Sequence, residues 1–193
     1  MTSSQVITKA SLIWDWRVRL CHWLVAALVL FNQFNEGDNR ALHRYVGYTT
    51  VFLVLLRLVW GSTTAQGHAD FRQWPALRQV GRYLRQLFGW VCQTGLKRSP
   101  LHDPRHQLPS YEGHNPAGAA MAWFFWLLIL LLGLSGWMMQ LDQFWGEDWL
   151  QKVHELMADL LLACIAIHIS AAVLMSRVHH SNLIKTMITG KKS

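Results

Sequence analysis

Charge is scarce in this 193-residue chain: Asp, Glu, Lys and Arg together make up 15% of it, where a soluble domain carries about a quarter. Cysteine is scarce as well. Cys21, Cys92 and Cys164 are the three present, and none pairs with another at a metal-ligand spacing. Neither a disulfide framework nor an iron–sulfur cluster fits that pattern, and the lack of any Cys-x-x-Cys-His motif excludes covalent c-type attachment of haem. A small-residue cleavage site is also missing after the first apolar run. Leu20–Phe31 is followed by Asn32, Gln33 and Phe34, so the run reads as a retained span and not as a cleaved signal.

Apolar side chains fill the deficit, at 52% of the residues, with 11 tryptophans. Amphipathic rings in that number suit helix ends anchored at a membrane–water interface. The net charge of +7 would serve nucleic acid if it formed a stripe on a folded surface. Here it lies between apolar segments, so no nucleic-acid partner is expected and membrane lipid is. The length suits one domain over residues 1–193.

A helix needs about 20 residues to cross the hydrocarbon core. Four segments qualify, at about 16–34, 42–60, 117–140 and 150–177, and they predict an all-α integral membrane four-helix bundle. The run Met121–Leu134 carries no charge, whereas the other three spans hold ionisable residues, which are costly in lipid and mark function. Arg17 and Arg19 precede the first span, and Arg177, Lys185, Lys191 and Lys192 follow the last. The long connection between spans two and three carries Arg72, Arg78, Arg82, Arg85, Lys97, Arg98 and Arg105 against Asp70, Asp103 and Glu112. The two short connections are neutral or acidic. Both termini and the long loop therefore belong on the cytoplasmic side.

Within that loop Trp74, Leu77, Leu84, Leu87, Phe88 and Val91 recur at helical spacing, with Arg78, Arg82 and Arg85 on a separate stripe. The pattern predicts a cytoplasmic interfacial amphipathic helix drawn to anionic lipid; a helix that docks a partner would show the same stripe. Ser99–Pro116 holds four prolines and reads as an irregular connector.

Ten histidines are present, and His22, His43, His154 and His168 lie in the apolar spans. His154 and His168 share the last span, fourteen residues apart, which sets them about 21 Å apart along the axis and within about 40° around it. One helix face thus offers two ligands at two depths. His22 comes early in a span that starts inside, and His43 early in a span that starts outside. Depth alone then pairs His22 with His168 and His43 with His154. Two opposed imidazoles at one depth suit six-coordinate haem iron, whereas zinc or copper would want three or four clustered ligands. A lone intramembrane histidine is as readily a hydrogen-bond partner for a neighbouring helix. Four that pair by depth are not explained that way.

Arg57, fourteen residues after His43, shares its face about 21 Å deeper. Two roles fit it: an ion pair with a haem propionate, or snorkelling to the interface. Asp159 fits a proton relay, a partner for a histidine ring nitrogen or a polar helix contact. Gly47, Gly133 and Gly136 fit close approach of a helix or porphyrin, or ordinary small-residue packing. His102 and His106 flank Pro104, which prevents a regular helix from aligning them. His68, His179 and His180 read as surface or interfacial, and His114 as part of a turn leading into span three.

These residues resemble the bacterial cytochrome b561 and nickel-hydrogenase b-type cytochrome family. The resemblance rests on Trp14-Asp15 with Arg17, on His22-Trp23, on His43 with Gly47-Tyr48, and on Arg57-Leu58-Val59-Trp60-Gly61. Gly113-His114-Asn115-Pro116, His154-Glu155, His168 and Met187-Ile188-Thr189-Gly190-Lys191 extend it over nearly the whole chain. The resemblance implies a four-helix bundle with two non-covalent b-type haems held by His22, His43, His154 and His168. It also implies electron exchange with the quinone pool and with a redox partner protein, a hydrogenase or a soluble cytochrome. Whether the chain is an electron carrier or an oxidoreductase subunit stays open at this level. Two rivals need no haem: a membrane ion or metal transporter using the histidines as a relay, and a structural anchor for a partner enzyme.

Overall fold

In the computed structural model, which describes residues 14–35, 39–76, 78–96, 115–178 and 181–191, the chain is helical, with no strand among those residues. The six α-helices are α1 (Trp16–Phe34), α2 (Arg40–Thr63), α3 (Arg78–Leu96), α4 (Pro116–Met138), α5 (Asp148–Val178) and α6 (Leu183–Thr189). Short 3-10 turns at Gly67–Ala69 and Phe71–Gln73 follow α2, and another at Asp142–Phe144 precedes α5.

Local chemistry sets where the helices begin. The Asp15 carboxylate accepts from the Arg17 N–H at 2.7 Å, Asn39 from Leu42 at 3.0 Å, Asn115 from Gly118 at 2.6 Å and Asn182 from Lys185 at 2.8 Å. Each side-chain oxygen satisfies a donor that the first turn leaves without a helical partner. Pro116 at the first position of α4 gives up an N–H that would be unpaired anyway. At the far end of α6, Gly190 takes φ 78°, the left-handed end for which glycine is suited.

Among the described residues, three helices are long and apolar enough to cross a membrane: α2, α4 and α5. Only 22, 17 and 11% of their apolar stretches are buried within the chain, so most of their greasy surface faces outward. Leu127, Leu131 and Leu134 on α4 and Leu156, Leu160 and Ile167 on α5 are all exposed. Helices apolar on every side need an apolar surrounding. Hydroxyls in α2 and α5 obey the same rule. Thr49, Thr50, Ser62, Thr63, Ser170 and Ser176 each donate to the carbonyl four residues back, at 2.7–2.8 Å, as side chains without water must. α1 spans the same residues as its predicted segment but is diluted by Arg17, Arg19, Asn32 and Gln33, and it is not among the three.

α1 packs on α2, α2 on α4, and α4 on α5, while α3 lies against α4 and α6 against α5. Val54, Leu128, Ile129 and Leu161 form the buried core, joined by Val25 and Val29 from α1 and Ile165 from α5. Gly133 makes one of these approaches possible: a Cβ there would run into Cγ2 of Val51 on α2. A second cluster of Val18, Ala65 and Ala69 with Trp14, Trp60 and Met187 closes one end. There the carboxy-terminal segment is tied to α1. Arg19 donates to the Ile188 carbonyl, and Trp23 Nε1 to that of Met187 at 3.4 Å.

One expectation needs amendment. Trp74 lies ahead of α3, not on it, and its indole stacks on Trp126 of α4 at 5.6 Å. Leu84, Phe88, Arg82 and Arg85 do sit exposed on α3, while Tyr83 is buried and its hydroxyl accepts from Asn115 Nδ2 at 3.3 Å, tying α3 to the start of α4. The expectations for Leu77, the side chain of Val91, Lys97, Arg98, Ser99–His114 and Lys192 lie outside the described residues.

Gly133→Ala should lower thermal stability in detergent, by about 1–3 kcal/mol if the overpacked methyl is not relieved. An unchanged melting temperature would show that α2 and α4 do not depend on this contact.

Candidate functional site

The fold brings His22, His43, His154 and His168 together two by two. His43 of α2 faces His154 of α5 with ring centroids 6.3 Å apart, and His22 of α1 faces His168 of α5 at 6.4 Å. These are the pairs that depth alone selected. The rings of each pair are tilted to one another and too far apart for a direct hydrogen bond between ring nitrogens. Two imidazoles bound to one metal atom from opposite sides, at bonds of about 2 Å, place their centroids about 6.2 Å apart. Among the described residues no three His, Cys, Asp or Glu side chains gather into a cluster that would hold a bare ion.

The His43–His154 pair lines a half-open cavity of about 100 Å³. Apolar Val29, Val51, Ile129 and Leu161 form its body, and Asn32, Gln33 and Arg44 lie in its wall. Gly47, Gly133 and Gly136 all line it. A Cβ on Gly136 would meet His154 Cε1 at 3.5 Å, ordinary contact, so that glycine is packing space beside the ring. Arg44 bonds to Gln140 at the mouth. On the far side of the cavity wall, the Ser135 hydroxyl lies 2.8 Å from His154 Nδ1.

The His22–His168 pair is more open. His168 is exposed on the flank of α5, with Phe125 edge-on to it at 5.7 Å, while Trp23 lies edge-on to His22 at 5.1 Å. His22 Nδ1 and His43 Nδ1 are buried without hydrogen-bond partners. An orphaned buried imidazole nitrogen is costly, so both rings are incompletely served by protein groups alone.

Arg57 does not end in solvent. It is 6% exposed, and Nη2 donates to the Ala69 carbonyl at 2.9 Å. Its guanidinium lies 4.5 Å from the Phe71 ring centroid, 5.1 Å from Trp60 and 5.8 Å from Trp126, a cation–π cage. Nη1 is buried and unpaired. Gly61, one turn further along α2, opens the space; a Cβ there would collide with Nη1 and with Phe71. Cys21, next to His22, has its Sγ 4.0 Å from the Leu53 carbonyl, one turn before Arg57, so the cage and the His22–His168 pair share one end of the bundle.

Of the remaining polar candidates, Asp159 is exposed on α5, away from both pairs, and His68 lies edge-on to Trp14 at 6.2 Å. His102, His106, His114, His179 and His180 lie outside the described residues. Ser135, Phe71 and Trp126 escaped the sequence reading. A serine within an otherwise apolar run, flanked by Gly133 and Gly136, was the available signal for the first.

The loop that roofs Arg57 is held by Asp70, whose carboxylate accepts from Arg72 Nε at 3.0 Å and from the Arg72 backbone N–H at 2.9 Å. Those bonds hold its carboxyl below the usual carboxylate range. The stabilisation is thus complete above the pH where an unpaired aspartate titrates, and is lost as pH falls through the depressed value. Asp70→Asn should speed amide exchange at Arg72 and Gln73 at neutral pH, and the gap from the parent protein should close in acid. A gap unchanged by pH would separate Asp70 from the loop's order.

A family model described as prokaryotic cytochrome b561 matches residues 13–190 of the chain. No curated protein and no solved structure matches it.

Proposed function

Because the chain belongs to the prokaryotic cytochrome b561 family, and is on that ground a membrane b-type cytochrome with an electron-transfer role, we propose that it is a two-haem relay. It passes electrons across the bacterial plasma membrane between the quinone pool and a redox partner protein, a hydrogenase or a soluble cytochrome. The observation that carries the two-haem reading is the pair of ring separations, 6.3 and 6.4 Å, each matching two axial ligands on one iron.

When bound, haem iron supplies one-electron chemistry by alternating between ferric and ferrous. The residues of this chain do the rest. His43 with His154, and His22 with His168, would hold the two haems, and the buried unpaired Nδ1 atoms of His22 and His43 and the cavity beside His43 and His154 support that reading. Arg57, with Nη1 free at the His22–His168 end, is suited to a propionate carboxylate. Between the pairs, Val54, Leu128, Ile129 and Leu161 keep the interior apolar. An ion or proton path through the histidines would need polar groups there, so this core favours an electron relay over a transporter.

The same reading makes the chain one four-span unit, with α1 as the fourth crossing helix. Four crossings return both termini to one side, and the basic residues Arg17, Arg19, Arg72, Arg78, Arg82, Arg85, Arg177 and Lys185 all belong to that side. Asp142, Glu147 and Asp148 lie on the other, which makes the termini cytoplasmic. α3, with Leu84 and Phe88 exposed beside Arg82 and Arg85, then lies on the cytoplasmic surface among anionic lipids.

Ligand replacement tests the pairing directly. His22→Ala, His168→Ala and the double variant should each keep one low-spin haem, and His43→Ala with His168→Ala should keep none. Absorbance spectra with haem quantified per chain give the answer. A single variant that retains two low-spin haems would remove that histidine from the ligand set.

A further inference from the structure

The two histidine pairs are not equivalent. Among the described residues, His154 is the one of the four whose ring makes a side-chain hydrogen bond: the Ser135 hydroxyl lies 2.8 Å from Nδ1. Ser135 is 5% exposed, and its Oγ also lies 3.1 Å from the Leu132 carbonyl, three residues back on α4. A serine carries one hydroxyl hydrogen and two lone pairs. The carbonyl is an acceptor only, so it takes that hydrogen, and Oγ is left to accept. The partner on the histidine side must then be the N–H of Nδ1. This chain of bonds, from His154 Nδ1–H to Ser135 Oγ and from Ser135 O–H to the Leu132 carbonyl, fixes one tautomer. It leaves the Nε2 lone pair of His154 free. His43, across the gap, has a buried Nδ1 with no such partner.

We infer that Ser135 is a positioning residue which fixes the tautomer of His154 and lowers the reduction potential of the haem held by His43 and His154 relative to the same site without it. The inference rests on the two-haem reading. An acceptor on the distal ring N–H raises the basicity of the ligating nitrogen. A more basic ligand favours the ferric over the ferrous ion. Ser135 is thus a device on one site only, and it separates the potentials of two sites that share the same axial ligand type.

The test is a redox titration of the full-length protein in detergent, following both haems by visible absorbance, for the parent chain, Ser135→Ala and Ser135→Thr. Threonine keeps the hydroxyl and the bond to a carbonyl on its own helix. Ser135→Ala should keep both haems and raise one potential only, changing that haem's ferrous-to-ferric ratio at fixed ambient potential about two- to tenfold, the range of one hydrogen bond. Ser135→Thr should return it to the parent value. Loss of one haem in Ser135→Ala with retention in Ser135→Thr also supports the role, because only the hydroxyl distinguishes them in that direction. Two unmoved potentials with both haems retained would overturn it, and so would loss of haem from both variants, which would mark a purely steric position. A parent protein lacking haem at the His43–His154 pair overturns the two-haem reading itself and this inference with it, an outcome visible before any variant is made.

Discussion

In hydrocarbon a polar side chain has no water to fall back on, so each one must find a partner inside the protein or be used by a ligand. This constraint organises the whole chain. The hydroxyls of α2 and α5 turn back onto their own helices. Arg57 reaches a carbonyl and three aromatic rings. The histidines are satisfied only in part: His154 meets Ser135, while Nδ1 of His22 and of His43 is buried without a partner. Each stands opposite another imidazole across a gap too wide for a hydrogen bond and suited to a metal atom between them. Those two gaps are what the proposed pair of haems would fill.

The two ends of the bundle complete their sites differently. At the His43–His154 end the cavity is lined by glycines, apolar side chains and a small polar mouth, and a serine holds one ligand from behind. At the His22–His168 end the site is open at its flank, and the polar contribution is a caged guanidinium roofed by the loop after α2. Asp70 and Arg72 hold that loop, while Phe71, Trp74, Trp123 and Trp126 form its aromatic underside. On the two-haem reading proposed above, a fixed positive charge near one site and a more basic ligand at the other would push their potentials in opposite directions and give a relay a preferred sense.

Periodicity and charge made much of this legible. The segment 16–34 and the bounds of α1 coincide, and α2, α4 and α5 begin and end within three residues of their predicted spans. The histidine pairs followed from helix rise and chain direction, because a bundle of straight spans converts sequence position into depth. What stayed hidden depends on chain reversal. Trp74 matches the helical stripe of α3, yet it lies before that helix and packs on α4, since the 3-10 turns at residues 67–73 fold the loop back onto the bundle. Trp60 aside, the cage around Arg57 and the Ser135–His154 bond join residues 12 to 69 positions apart. No local pattern encodes contacts of that range.

The most direct measurement is the haem content of the purified full-length protein, made with ample haem supply, set against its reduced-minus-oxidised absorbance spectrum and its protein concentration. The account predicts two non-covalent, low-spin b-type haems per chain. One haem would mean that one of the two pairs does not bind a metal, and none would contradict the account outright.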